Sequence, residues 1–134
     1  MSSFFLDSNL LIYLATSEGE KYNRINSILN ADETAFISIQ VLNEFTAACL
    51  KKQLLDHFQI EKYVHEYKLR FETVDVNFAT VSKCFAIREK HKYSWYDSLI
   101  ITTALQNNCK ILYSEDMQHN QLIENSLKIV NPFV

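Results

Sequence analysis

The chain has 134 residues, a formal net charge of −3 and 48% hydrophobic residues, enough for the core of one domain spanning residues 1–134. Its single glycine and single proline exclude flexible linkers and the glycine-rich loops that bind phosphates in P-loop and dinucleotide-binding proteins. The three cysteines are scattered, as expected for reduced thiols, and the four histidines form no zinc-binding pair. No apolar run approaches the ~20 residues that cross a bilayer, so we expect a soluble, cytoplasmic protein.

The first predicted element is a short strand, because residues 4–6 (FFL) form a continuous apolar run. The strand stops at Asp7, and Ser8 or Asn9 is predicted to cap the helix that follows. Ligands of open α/β sheets bind beyond the carboxyl ends of the strands, which places Asp7 on a functional edge. The alternative is that Asp7 merely helps to cap the helix.

Predicted helices and strands alternate through the rest of the chain. Apolar periodicity predicts further helices over 21–29, 39–49, 57–67, 77–90 and 94–107, the second and third capped by Ser38 and Asp56. Short apolar runs predict strands over 35–38, 71–76, 111–113 and 127–130. The alternation predicts a single-domain α/β/α sandwich with a central parallel sheet of four to five strands, joined by right-handed crossovers.

Four acidic residues stand out because they lie beside apolar segments: Asp7, Glu44, Asp97 and Asp116. Unpaired charge in such places is costly, so grouped carboxylates usually hold a cation. With no thiolate or imidazole nearby, the donors favour Mg²⁺ or Mn²⁺, which can polarise a phosphoryl oxygen and activate water for hydrolysis. The alternative for Asp97 is a capping box with Ser94 at the start of its helix.

Aromatic residues indicate two kinds of contact. Lys90, Lys92 and Trp95 belong to the one basic stretch that is interleaved with aromatic side chains, a pattern suited to RNA binding. The alternative is a solvated helix end with Trp95 packed in the core. Tyr63 and Tyr67 add aromatic surface beyond the needs of a small core, so some of it is expected in a symmetric dimer contact.

Five segments, in order along nearly the whole chain, resemble the PIN-domain family and, within it, the VapC toxins of bacterial toxin–antitoxin pairs: FFLDSN, SIQVLNEF, YSWYDSLI, LYSEDM and IVNPF. The resemblance implies a divalent-metal-dependent endoribonuclease, usually homodimeric, that hydrolyses RNA phosphodiester bonds and is inhibited by an antitoxin protein. It assigns catalysis and metal binding to Asp7, Glu44, Asp97 and Asp116, supported by Ser8, Asn9, Ser114 and Glu115. Glu115 directly precedes Asp116, and the sequence leaves open which of the two faces the metal.

Two other functions are compatible with parts of the pattern. The first is a catalytically weak PIN-like module that binds RNA or protein, although the presence of all four acids argues against such decay. The second is a phosphohydrolase that uses Asp7 as nucleophile in the manner of haloacid dehalogenases. That chemistry requires a second aspartate two residues after the nucleophile, and this chain has Asn9 at that position.

Overall fold

A computed structural model describes residues 2–134, and within that range the chain forms six strands and six helices. The strands are β1 (Ser3–Leu6), β2 (Thr34–Ser38), β3 (Glu72–Val74), β4 (Ile111–Tyr113), β5 (Leu122–Ile123) and β6 (Leu127–Val130). The helices are α1 (Ser8–Thr16), α2 (Glu20–Leu29), α3 (Ile39–Lys51), α4 (His57–Arg70), α5 (Phe78–His91) and α6 (Trp95–Gln106). This mixed α/β architecture confirms the predicted fold class.

The strands form one sheet in the order β3-β2-β1-β4-β6-β5, in which every pairing is parallel except that between β5 and β6. Strand β5 was not predicted, so the sheet has one more strand than the four to five expected. It has only two residues and returns to β6 through a turn in which Glu124 and Asn125 both have positive φ. An apolar stretch of two residues is too short to be recognised as a strand from periodicity.

The order of the strands creates a switch point between β1 and β4. From β1 the chain moves outwards to β2 and β3, then returns to the other side of β1 as β4. Right-handed crossovers therefore place α1 to α4 on one face of the sheet and α5 and α6 on the other. Packing agrees, because α3 contacts α1 and α4 whereas α5 contacts α6. In open α/β sheets, the crevice at such a switch point is the usual ligand site.

Strand β1 lies at the centre of the sheet, and its residues Phe4, Phe5 and Leu6 are buried on both faces. The helix after it begins at once, so Asp7 itself is the N-cap of α1, in an extended conformation. The prediction that Ser8 or Asn9 caps this helix is wrong. The predicted caps of α3 and α4, Ser38 and Asp56, are confirmed by hydrogen bonds to the backbone of the first turn.

Tyr67 of α4 lies in the core rather than on a dimer surface. Tyr67 is only 3% exposed, and its hydroxyl donates a 2.8 Å hydrogen bond to the Leu11 carbonyl. Its ring packs against those of Phe45, Tyr63 and Phe71. Tyr67 is therefore unavailable for the predicted dimer contact.

The three cysteines, Cys49, Cys84 and Cys109, are free and buried, as predicted from their apolar surroundings. Burial raises the pKa of each thiol, most strongly at Cys109, where the pKa is about 11. Thiols of this kind are poor nucleophiles and pack as small apolar side chains. Among residues 2–134, no helix is both long enough and apolar enough to span a membrane.

Candidate functional site

Asp7 stands at the end of β1, directly beside the end of β4. Its backbone N–H donates to the Tyr113 carbonyl, which extends the pairing of the two strands by one residue. One carboxylate oxygen, Oδ1, accepts the Ser8 N–H at 2.7 Å, and the other accepts the Ser114 hydroxyl at 2.8 Å. The carboxylate therefore lies at the switch point in a fixed orientation, with only 3% of the residue exposed.

Burial raises the pKa of Asp7 from its ordinary value of 3.8 to about 7. The hydrogen bonds from Ser114 and Ser8 oppose this shift, because they favour the ionised form. The negative charges of Asp97 and Glu44 add to the effect of burial. Without a cation, Asp7 is accordingly poised between its neutral and charged forms near neutral pH.

Asp116 is held beside the end of β1 by the side chains of two supporting residues, Ser114 and Asn9. The Ser114 hydroxyl, which donates to Asp7, also accepts the backbone N–H of Asp116 at 3.2 Å. The Asn9 amide donates to Asp116 Oδ2 at 3.0 Å, from the first turn of α1. Ser114 and Asn9 thus hold the ends of β1 and β4 together and fix Asp116 next to Asp7.

Glu115 points to a different set of partners. Its carboxylate forms a 2.9 Å ion pair with Lys21 and accepts a hydrogen bond from the Tyr13 hydroxyl. Although partial burial acts in the opposite direction, these two hydrogen bonds lower the pKa of Glu115. The geometry therefore favours Asp116 over Glu115 as the residue that faces the acidic cluster.

Glu44 comes from α3 and is held by a glutamine one turn earlier. The Gln40 side-chain amide donates to Glu44 Oε2 at 2.6 Å and to the Tyr96 carbonyl at 3.2 Å, so it bridges the starts of α3 and α6. Burial raises the pKa of Glu44, the Gln40 hydrogen bond opposes the rise, and the charge of Asp97 adds to it. Sequence reasoning missed Gln40, although its spacing of four residues from Glu44 on a helix was a usable signal.

Asp97 lies in the first turn of α6. The Ser94 hydroxyl accepts the Asp97 backbone N–H at 3.2 Å, so Ser94 is the N-cap of α6. The reciprocal half of the predicted capping box, from the Asp97 carboxylate to the Ser94 backbone, is absent among the hydrogen bonds of residues 2–134. Burial raises the pKa of Asp97, the nearby Ser94 side chain lowers it, and the charge of Asp116 raises it further.

The structure therefore brings the four predicted acids into one electrostatically connected group. Asp7 is influenced by Glu44 and Asp97, and Asp97 by Asp116. Every ion pair within residues 2–134 involves other carboxylates, those of Glu89, Glu115 and Glu124. The negative charge of the group is thus left without a cationic side chain.

All donor atoms in this group are oxygens, which suits a hard cation such as Mg²⁺ or Mn²⁺. In the described part of the chain, no three His, Cys, Asp or Glu side chains converge closely enough to enclose an ion by themselves. Mg²⁺ normally retains several waters and binds through one or two carboxylates, so a loosely spaced acidic group still fits it. Asp7, Asp97 and Asp116, with Glu44 beside them, are the residues that could hold such an ion.

The candidate RNA-binding residues lie where α5 ends and α6 begins. Lys90 is at the end of α5 and forms a 2.7 Å ion pair with Glu124, while Lys92 ends the helix in a left-handed conformation. Trp95 is half-buried and packs against the Phe85 ring, with their centroids 4.8 Å apart. These residues therefore lie together at the connection between α5 and α6. Lys90 is paired with Glu124 and the Trp95 ring with that of Phe85, so part of their surface is already in contact with the rest of the protein.

Comparisons with known proteins point to one family. A family model described as the PIN domain matches residues 4–124. No characterised protein compared by sequence gives a significant match. Among solved structures, VapBC2 from Rickettsia felis, bound to a DNA fragment from its promoter, is 19% identical, with a TM-score of 0.72 over 96% of this chain and 99% of that one.

Two further structures share the fold. A toxin–antitoxin complex from Klebsiella pneumoniae is 19% identical, with a TM-score of 0.72 over 98% of each chain. VapC20 of Mycobacterium tuberculosis, described as a toxin that cleaves the sarcin–ricin loop, is 11% identical, with a TM-score of 0.68 over 81% of this chain and 86% of that one. At these identities the likeness concerns the fold.

Proposed function

This chain belongs to the PIN domain family, and from that premise we propose that it is a divalent-metal-dependent endoribonuclease that hydrolyses RNA phosphodiester bonds. We further propose that it is the toxin of a toxin–antitoxin pair. The proposed catalytic and metal-binding residues are Asp7, Glu44, Asp97 and Asp116. The cation would be Mg²⁺ or Mn²⁺.

One observation carries the proposal: Asp7, at the switch point of the sheet, has a pKa that burial and the charges of Asp97 and Glu44 raise, and within residues 2–134 none of these three carboxylates forms an ion pair. Burial and mutual repulsion raise the pKa of Asp7, Glu44 and Asp97. Such an arrangement is unfavourable for the fold alone, and strongly perturbed groups of this kind cluster at functional sites. A bound divalent cation would remove the repulsion.

When bound, the cation would polarise a phosphoryl oxygen and lower the pKa of a coordinated water. The chain's own residues prepare the ligands for it. The Ser114 hydroxyl orients the Asp7 carboxylate, and the Asn9 amide orients that of Asp116. Because Asp7 holds a proton until about pH 7, it must release that proton to act as an anionic ligand.

RNA is the proposed substrate. The structural similarity to VapC20, which is described as a toxin that cleaves the sarcin–ricin loop, supports this choice. Lys90 and Lys92 precede the helix that carries Asp97, and Trp95 begins it, so all three are proposed to contact the RNA that reaches the acidic group. Their cationic and aromatic side chains suit single-stranded RNA, in which bases are free to stack.

A protein partner is proposed as well. Two of the structural neighbours come from toxin–antitoxin complexes, which supports a cognate antitoxin as inhibitor in the cytoplasm. A homodimer is also proposed, since large apolar side chains remain exposed on α4 and α5: Phe58, Leu69, Phe78 and Phe85. Sedimentation of the purified chain at high concentration tests the dimer, and a monomer at all concentrations would reject it.

The test of the proposed activity compares Asp97→Asn and Asp116→Asn with Glu115→Gln as a matched control. With Mn²⁺ and a mixed RNA pool, both aspartate variants should lose cleavage by several orders of magnitude, because water activation and charge neutralisation fail together. Glu115→Gln should retain most of its activity, because Glu115 is bound to Lys21 and Tyr13. If both aspartate variants cleave RNA at the wild-type rate, the proposed nuclease site is wrong. If folded wild type binds RNA without cleaving it, the alternative of a catalytically weak binding module is favoured.

A further inference from the structure

An open groove of about 810 Å³ begins beside the acidic group. It runs from the start of α3, past the chain that follows β3, to the first turn of α6. Its walls include Glu44 itself and six other side chains: Ile39, Gln40, Asn43, Asp75, Val76 and Tyr96. We call it the α3–α6 groove. Because Glu44 belongs to both, whatever lies in this groove is a neighbour of the acidic group.

The charge of the α3–α6 groove excludes a phosphate backbone as its occupant. Its charged side chains, Glu44 and Asp75, are both acidic, so they would repel phosphates. Its other surfaces are apolar or neutral. Ile39 and Tyr96 are exposed large apolar side chains, with 61% of Tyr96 accessible to solvent. These properties suit a flat, uncharged group that can lie against an aromatic ring.

Two side chains of the groove, Gln40 and Asp75, carry hydrogen-bond acceptors that have no donor of their own in the described part of the chain. The Gln40 amide nitrogen is already used by Glu44 and by the Tyr96 carbonyl, which leaves Gln40 Oε1 buried and without a partner in the described part of the chain. The Asp75 carboxylate is exposed and accepts hydrogen bonds only. A ligand that carries N–H groups would therefore find exposed acceptor oxygens at Asp75.

Resting on the proposed function, we infer that the α3–α6 groove binds a guanine base of the nucleotide next to the cleaved phosphate. Tyr96 stacks on the base, and the Asp75 carboxylate accepts the two neighbouring donors of its pairing edge, N1–H and the N2 amino group. Guanine is the RNA base with two adjacent donors on that edge, which matches the two oxygens of a carboxylate. Tyr96 and Asp75 are thus assigned as specificity-determining residues.

The test uses four labelled seven-nucleotide RNAs that are all uridine except at the centre, where each carries guanine, adenine, cytosine or uridine. Binding is measured by fluorescence anisotropy in EDTA, and cleavage is measured separately with Mn²⁺. The variants are Tyr96→Ala and Asp75→Asn. Their matched controls are Tyr22→Ala, which removes an exposed ring on α2, and Asp32→Asn, which neutralises an exposed turn residue.

Wild type should bind the guanine RNA roughly tenfold more tightly than the all-uridine RNA. Tyr96→Ala should weaken binding of every RNA by about tenfold, because stacking does not depend on base identity. Asp75→Asn should abolish the guanine preference without weakening binding of the all-uridine RNA. Both controls should behave as wild type.

Equal binding of the four RNAs, or a guanine preference that survives in Asp75→Asn, would overturn the assignment. RNA binding that is untouched by both groove variants would also overturn it, and would leave the groove to a protein segment. Cleavage without base preference would refute the groove assignment while the nuclease stands. Guanine-selective binding that both variants impair, with no cleavage by wild type, would support the groove assignment and refute the nuclease.

Discussion

Replacing Asp7 by asparagine should stabilise the metal-free protein, and the gain should grow with pH. Asparagine has nearly the same shape, and its side chain can keep both contacts of Asp7. Its oxygen can accept the Ser8 N–H, and its nitrogen can donate to the Ser114 oxygen, which is the acceptor of the Asp116 N–H at present. The substitution therefore removes a buried charge, and although the Ser114 hydroxyl hydrogen loses its acceptor, that loss does not depend on pH.

The size of the effect follows from the pKa of Asp7, which is 3.8 ordinarily and about 7 in the fold. Because the folded state holds this proton more tightly than the unfolded state, wild-type stability declines as pH rises from 4 to 7 and then levels off. A difference of this size corresponds to roughly 4 kcal/mol for the ionised group, as an upper bound. Asp7→Asn lacks this penalty at every pH.

Urea unfolding of wild type and Asp7→Asn in EDTA, at pH 5 and pH 8, measures the difference directly. We expect the advantage of the variant to be larger at pH 8, by about 1–3 kcal/mol. Asp32→Asn, at an exposed turn, serves as the control and should show no pH-dependent difference from wild type. An Asp7→Asn protein that is less stable than wild type at pH 8 would refute the reasoning, because it would reveal a partner that stabilises the charge.

Three other predictions concern the same site and the core beneath it. Ser114→Ala should lower the free energy of unfolding by about 1–3 kcal/mol, because the buried Asp7 carboxylate and the Asp116 N–H lose a partner; an unchanged urea midpoint would contradict this. Mn²⁺ should raise the melting temperature more at pH 8 than at pH 6, because the ion competes with the proton on Asp7. Equal increases in melting temperature at the two pH values would contradict that competition. Tyr67→Phe should cost about 1–2 kcal/mol in urea unfolding by removing the hydrogen bond from the hydroxyl to the Leu11 carbonyl, while RNA cleavage stays at the wild-type rate.

The parts of the fold that the sequence predicted are those with local signals. Three apolar residues before Asp7 define a buried strand and its end without reference to the rest of the chain. Ser38 and Asp56 precede helical patterns directly, and both prove to be caps. The alternation of such elements is sufficient to predict a parallel sheet, because few other topologies accommodate it.

The features that sequence reasoning missed depend on contacts between distant residues. Glu115 is turned away from the acidic group by Lys21, which lies 94 residues earlier in the chain. The use of Tyr67 in the core depends on its hydrogen bond to Leu11, across 56 residues. Neither partner can be chosen from local propensity, because many lysines and carbonyls are equally plausible until the topology is known.

The grouping of Asp7, Glu44, Asp97 and Asp116 as a metal site is tested most directly by crystals grown with Mn²⁺ and measured at the manganese absorption edge. We expect an anomalous peak coordinated by carboxylate oxygens of this group, with Glu115 still paired to Lys21. A well-diffracting crystal with no such peak, or with manganese bound by Glu115 instead, would contradict it.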